Sequence, residues 1–184
     1  YCEVLPYNSS IDKIKSKNPK GIIFTGGPAS VLDPKAPICD REVFELGIPI
    51  LGICYGMQLM SHMLGGTVEK AEQREYGKVN ITFDTSSMLF EGIEKESTCW
   101  MSHTYYVNNL PEGFVKCADT PNCPVAAIEN REKKLYGVQF HPEVVHTPKG
   151  RDILNNFLYK ICGCSGDWKM ASFIEHSINS IREK

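Results

Sequence analysis

The sequence predicts an α/β fold: a mostly parallel sheet with helices on both faces, plus a smaller antiparallel portion. Three observations carry this. Gly21-Ile22-Ile23-Phe24 and Pro49-Ile50-Leu51-Gly52-Ile53 are short, continuously apolar runs. Such runs suit parallel strands covered on both faces. The second run passes straight into an apolar-periodic stretch of good helix formers, which makes a strand–turn–helix unit. Beyond it, several strand-like segments follow one another across short polar connections, a pattern that favours hairpins.

Taken in order, Cys2 to Leu5 reads as a short strand stopped by Pro6. Asn8-Ser9-Ser10 can cap a short helix from Ile11 to Ile14. The strand Gly21–Phe24 ends at Thr25-Gly26-Gly27-Pro28, and a helix is expected over Asp40 to Leu46. The strand ending at Cys54 leads into a helix that stops at Gly65-Gly66. Thr67 to Glu69, Lys78 to Phe83, Thr98 to Ser102, Val115 to Ala118, Val125 to Glu129 and Leu135 to Phe140 read as strands. A helix is expected from Lys149 to Ile161, with Ile153, Leu154, Phe157, Leu158 and Ile161 on one face. After a Gly/Ser break, a last helix is expected from Trp168 to Ile181. The reading divides the chain into a domain over 1–163 and a linker helix over 164–184.

The 184 residues suit one domain with a sizeable core. A formal net charge of −2 carries no nucleic-acid footprint, and no apolar run is long enough to span a bilayer. The eight cysteines are scattered, several of them in apolar runs, which fits reduced thiols and a cytoplasmic location. Cys162-Gly163-Cys164 lacks the spacing of a structural zinc site, so no metal is expected. The chain starts at Tyr1 without a Met and already in a strand-like pattern, so upstream residues are expected to be missing.

The chemistry gathers at Cys54. Gly52 and Gly56 flank it at two residues on either side, so the turn can be sharp and the helix can sit close to the strand. This is the sequence form of a nucleophile elbow. A cysteine nucleophile needs a base and a group that orients the base. His141-Pro142-Glu143 offers both, at the C-terminal end of a predicted strand, where open α/β sheets form their sites. Pro142 biases His141 towards extended backbone, so His141 and Glu143 point the same way. Oxyanion donors are expected from the backbone N–H groups of Tyr55, at the helix start, and of Gly27. Gln58 lies one helical turn beyond Cys54 and is a candidate substrate contact. Standing alone, it would read as an exposed helix glutamine.

Gly52-Ile53-Cys54-Tyr55-Gly56-Met57-Gln58 together with Gly137-Val138-Gln139-Phe140-His141-Pro142-Glu143 resembles the class I (triad) glutamine amidotransferases. Trp100-Met101-Ser102-His103, the run from Val138 to Thr147, Thr25-Gly26-Gly27-Pro28 and the tail around Ile161, Cys162, Trp168 and Met170 are similar to the branch found in GMP synthases. The resemblance implies a flavodoxin-like fold and a glutaminase. Cys54 would attack the glutamine side chain, with His141 and Glu143 completing the triad. Tyr55 and Gly27 would hold the oxyanion, and Gln58, Gly26, Ser102 and His103 would contact glutamine.

It further implies that ammonia passes to a C-terminal ATP-pyrophosphatase (synthetase) domain. There ATP with Mg²⁺ would adenylate XMP, and the amidotransferase domain itself would need no cofactor. The full enzyme is expected to be a homodimer. Two departures stand out. The strand and helix that usually open the domain, roughly 30 residues, are missing. Thr104-Tyr105 stand where the branch has Gly-Asp after the histidine. Two other readings compete: the glutaminase of an anthranilate, aminodeoxychorismate or carbamoyl-phosphate system, and a non-catalytic flavodoxin-like module that binds a partner.

Overall fold

The structure, a computed structural model, describes residues 1–169 together with 178 and 181. The elements are helix α1 (Ile11–Ser16), strand β1 (Ile22–Phe24), strand β2 (Ile50–Ile53), helix α2 (Tyr55–Met63), strands β3 (Thr67–Phe83), β4 (Glu96–Asn109), β5 (Val115–Asp119), β6 (Ala127–Asn130) and β7 (Leu135–Val138), and helix α3 (Gly150–Asn155). The strands form one seven-stranded sheet in the order β1-β2-β7-β6-β5-β3-β4. The α/β class and the covering of both faces are as expected. Parallel pairing is confined to β1–β2–β7, and the antiparallel portion is the larger one here. The reason is the length of β3 and β4. The segments Thr67–Glu69 and Lys78–Phe83, expected as separate strands, belong to one strand with a register shift between Lys70 and Glu75.

Residues alternate between the two faces. Leu51, Ile53, Tyr136 and Val138 pack with Ile153 and Phe157 of the α3 segment on one side. Ile50, Ile128 and Leu135 pack with Met57, Leu59 and Met60 of α2 on the other. This is the period-two alternation of strands with a helix bound to each face.

Several expectations are corrected. Cys2–Leu5 is not a strand; it pairs with no strand among the described residues, and Val4 is 91% exposed. An apolar pattern supplies a strand only where a neighbouring edge receives it. The helix expected over Asp40–Leu46 is a short 3-10 helix, Arg41–Glu45, capped by Asp40 Oδ1 accepting from the Glu42 N–H at 3.0 Å. The helix expected to run to Ile161 changes after Asn155 to a wider π-helical turn, Asn156–Ile161, and the Cys162 N–H reaches the Phe157 carbonyl. This wider turn carries Phe157 edge-on against Tyr136 at 6.4 Å. The expected last helix falls largely outside the described residues; Ile178 and Ile181 are helical. Among the described residues no helix is long and apolar enough to cross a membrane.

Candidate active site

The elbow forms as the glycine spacing predicts. Cys54 sits between β2 and α2 with φ 51° and ψ −105°. A non-glycine residue there carries backbone strain of about 1–3 kcal/mol, which the surroundings must hold in place. The Cys54 N–H donates to the Val138 carbonyl at 2.7 Å, which ties the elbow to β7. The flanking glycines are required by close approach. A methyl group on Gly52 would lie 2.6 Å from the Met57 nitrogen, and one on Gly56 would strike the Phe24 carbonyl of β1. So α2 starts hard against both β2 and β1.

His141 arrives from the end of β7. Its N–H donates to the Trp100 carbonyl at 3.0 Å, and its own carbonyl accepts from Thr147 Oγ1 at 2.7 Å. Thr147 Oγ1 in turn accepts from the Trp100 N–H at 3.0 Å, and Trp100 stacks on His146 at 4.7 Å. This clamp fixes the loop that carries the ring. His141 Nδ1 meets Glu143 Oε1 at 2.7 Å, and the ring lies beside the Cys54 side chain, both of them against the Gly26 turn. With Nδ1 taken by Glu143, Nε2 is the ring nitrogen left for proton transfer. The interaction with Cys54, then the Glu143 bond, hold the imidazole protonated against the cost of burial and raise its pKa to about 10. Burial works against the Glu143 charge, but the His141 hydrogen bond and charge outweigh it and keep the carboxyl below its ordinary value.

The Gly26-Gly27 turn closes one side. A methyl group on Gly26 would sit 3.1 Å from His141 Cε1 and 3.6 Å from Cys54 Cβ; one on Gly27 would sit 3.9 Å from Tyr55 Cβ. From β4, the Ser102 carbonyl accepts from Cys54 Sγ at 3.8 Å. Thus Cys54, Tyr55, Gly26, Gly27, Ser102, His141 and Glu143 converge on one spot.

The other two candidates are turned inward. Gln58 is buried, not exposed; its Nε2 donates to the Tyr105 carbonyl at 2.8 Å and to Gln139 Oε1 at 3.0 Å. The His103 ring spends both nitrogens internally, Nδ1 on the Tyr105 carbonyl at 3.1 Å and Nε2 on Glu75 Oε2 at 3.3 Å. A carbonyl only accepts, so Nδ1 carries a hydrogen. Thr120 Oγ1 donates to the same carboxylate at 2.9 Å. Burial lowers the pKa of His103, with the Glu75 bond pulling the other way.

Three residues near the site had no role in the sequence reading. Gln139, fully buried, donates from Nε2 to Cys54 Sγ at 3.5 Å. It was visible only as one letter of the segment before His141. Glu75 gave no local signal, since His103 lies 28 residues away, and the Thr147 clamp reaches Trp100 47 residues away as well as the His141 carbonyl.

Among the described residues, Glu75, His103 and Cys123 place potential metal-ligand atoms within 4.8 Å of one another. Each already has an internal partner, Cys123 Sγ on the Val125 carbonyl at 3.4 Å, and burial pushes that thiol up to about 12. A metal there would have to displace a satisfied network, so the donor set fits a hydrogen-bonded core better. All eight cysteines are free, as expected.

A family model described as glutamine amidotransferase class-I matches residues 1–161. The chain belongs to this family. It is 66% identical over all its 184 residues to a GMP synthase [glutamine-hydrolyzing] of Ruminiclostridium cellulolyticum, and 61% identical over 183 residues to that of Clostridium perfringens. In both comparisons the matched part is 36% of the relative's length. So the chain spans about a third of the curated relatives it matches. Among solved structures, a GMP synthase subunit from Thermoplasma acidophilum aligns with TM-score 0.70 at 31% identity, covering 95% of this chain and 81% of that one. A glutamine amidotransferase of Thermotoga maritima aligns with TM-score 0.64 at 18% identity, over 76% of this chain and 77% of that one, and supports the fold alone.

Proposed function

We propose that this chain is the glutamine amidotransferase part of a GMP synthase and hydrolyses glutamine to glutamate and ammonia. The observation that carries the reading is His141 bonded to Glu143 and set beside Cys54 at the Gly26 turn, with Cys54 on a strained elbow at the start of a helix. Cys54 Sγ attacks the side-chain amide carbon. The oxyanion takes the Tyr55 and Gly27 N–H groups, which donate to no carbonyl among the described residues. His141, oriented by Glu143, protonates the amine, and ammonia leaves a γ-glutamyl thioester on Cys54. A water then loses its proton to His141 and attacks the thioester, which releases glutamate and the sulfur.

For binding glutamine, Gly26 and Ser102 border Cys54 and are contacts of close approach. Gln58 Nε2 is occupied internally, so Oε1 is the atom it offers to a ligand. For His103 both ring nitrogens are spent, so its contribution is the backbone beside Ser102.

Ammonia is the product a partner consumes. We assign its use to an ATP-pyrophosphatase (synthetase) domain, where ATP with Mg²⁺ activates XMP for amination to GMP, in a homodimeric cytoplasmic enzyme. The residues beyond 163 would serve as the linker helix towards that domain, and the amidotransferase part itself would use no cofactor. Support comes from relatives named GMP synthase that are nearly three times as long as this chain. The same relatives disfavour an anthranilate or carbamoyl-phosphate system.

Two measurements test this. A glutamine-like chloroketone should label Cys54 in the folded chain, as read by peptide mass; a folded chain that resists labelling overturns the glutaminase. Mixed with a GMP synthetase domain, XMP and ATP, the chain should support glutamine-dependent GMP formation. If only added ammonia gives GMP, the assigned partner is wrong.

A further inference from the structure

The sulfur of Cys54 has a second set of partners, behind it in the core. It starts at a backbone atom. The Tyr105 carbonyl accepts from Gln58 Nε2 at 2.8 Å and from His103 Nδ1 at 3.1 Å. Because a carbonyl only accepts, it fixes which end of the Gln58 amide faces it. The second hydrogen on Gln58 Nε2 then points to Gln139, which must answer with Oε1, at 3.0 Å. That leaves Gln139 with only its Nε2 to present to Cys54 Sγ, at 3.5 Å. Gln139 is fully buried and Gln58 nearly so, so no water competes for these positions. The polarity at the sulfur is therefore set three residues back, by a main-chain oxygen of β4.

We propose that Gln139, held in one orientation by Gln58 and the Tyr105 carbonyl, is a further catalytic residue: an N–H donor to the Cys54 sulfur that favours its anionic form and holds it for attack. This rests on the glutaminase reading for the identity of the attacked bond, but not for the chemistry at sulfur. His141 supplies a proton that must leave the sulfur's side to reach the departing ammonia. Gln139 has no proton to give, so its hydrogen bond persists through both halves of the reaction and receives the sulfur again when the thioester breaks. A hydrogen bond to a charged group is stronger than one to a neutral group. The Gln139 contact therefore gains strength as the sulfur becomes anionic and weakens when it is acylated.

The titratable groups around Cys54 are His141 and Glu143 on the loop after β7. Behind Ser102 lie His103 on β4 and Glu75 on β3. Their hydrogen bonds go to groups other than the Gln139 amide, so changing Gln139 leaves their number unchanged.

The test is the pH profile of Cys54 alkylation by iodoacetamide in the full chain, read by peptide mass. Circular dichroism and the thermal midpoint report the fold. Gln139→Met, similar in shape but without a donor, should slow alkylation about tenfold near neutral pH and move the profile to higher pH. Gln139→Glu, which sets a carboxylate beside the sulfur, should move it further. Gln58→Met frees Gln139 to turn and should give a smaller shift in the same direction; it decides the matter if the Gln139 variants do not fold. A folded Gln139→Met with the parent rate and profile overturns the proposal, as does an unshifted Gln58→Met where Gln139→Met cannot be obtained. If the parent resists the glutamine chloroketone while the iodoacetamide profile still shifts, the glutaminase reading falls and this one stands.

Discussion

His141–Glu143 and His103–Glu75 are the same chemical pair in two settings. The first is short, 2.7 Å, with Glu143 open to solvent and Cys54 on the far side of the ring. The second is longer, 3.3 Å, with both side chains sealed in the core. In the first, interactions with Cys54 and Glu143 win, and the imidazole is held protonated up to about pH 10. In the second, burial wins and the pKa of His103 falls. A histidine beside a glutamate is thus not one device. Where partners exceed the desolvation cost the pair becomes a charged acid–base element; where burial dominates it becomes a brace. The exposed pair faces the Gly26-Gly27 turn, and the buried one holds the β4 segment that turns Gln58 inward.

The largest expected effect breaks the exposed pair. His141→Gln removes both the acid and the base, and glutamine hydrolysis should fall on the order of 10⁴-fold, measured as glutamate release by the chain mixed with the proposed synthetase domain. The fold should persist, since the loop is also clamped by Thr147. Equal rates for parent and variant would remove His141 from the chemistry. In the buried pair the balance reverses. Glu75→Ala leaves Thr120 Oγ1 without its acceptor and His103 Nε2 without its partner, and should lower stability by about 2–4 kcal/mol, read from the urea midpoint. A stable Glu75→Ala protein would show that the pair braces nothing.

The opposite shifts also separate the pairs in pH. The pKa of His141 is raised, so the folded state holds more protons than the unfolded one above about 6.5. Its contribution is complete below that value and is lost as pH rises through about 10. The pKa of His103 is lowered, so the folded state holds fewer protons, and its contribution is lost as pH falls below about 6.5. His141→Gln should therefore flatten the alkaline limb of the stability curve, and His103→Gln the acid limb, in urea midpoints taken from pH 4.5 to 10.5. Two variants flattening the same limb would refute the contrast.

What could be read from the sequence follows the same division. Cys54, Tyr55 and the glycines around them are neighbours in the chain, and His141 and Glu143 are two residues apart, so spacing alone joins them. Glu75 meets His103 only because β3 shifts register between Lys70 and Glu75 before pairing with β4. No local pattern encodes that shift. Gln58 and Gln139 are 81 residues apart and come together only once α2 is docked on the sheet. This is why the sequence offers Gln58 as a substrate contact beside Cys54 and does not reveal that its amide is buried against Tyr105 and Gln139. The limits of pattern reading also show at Cys2–Leu5, where a strand-like run has no strand beside it among the described residues. Hydrophobic alternation reports which side chains prefer burial, but not whether an edge exists to receive them.

The smallest effect tests how the exposed pair keeps its geometry without being buried. Thr147 Oγ1 donates to the His141 carbonyl and accepts from the Trp100 N–H, so one hydroxyl joins the loop to β4. Thr147→Val keeps the shape and removes both bonds. The Trp100 N–H and His141 carbonyl then lose their partner at a partly buried position, at a cost of about 1–3 kcal/mol. If the clamp positions His141, glutamine hydrolysis should fall by more than the unfolded fraction accounts for, roughly tenfold at a temperature where the variant is fully folded. The alkylation profile of Cys54 should hardly move, because the charges beside the sulfur are unchanged. A drop in activity equal to the loss of folded protein would make Thr147 a stabilising residue only, and the exposed pair would then owe its geometry to the 2.7 Å bond itself.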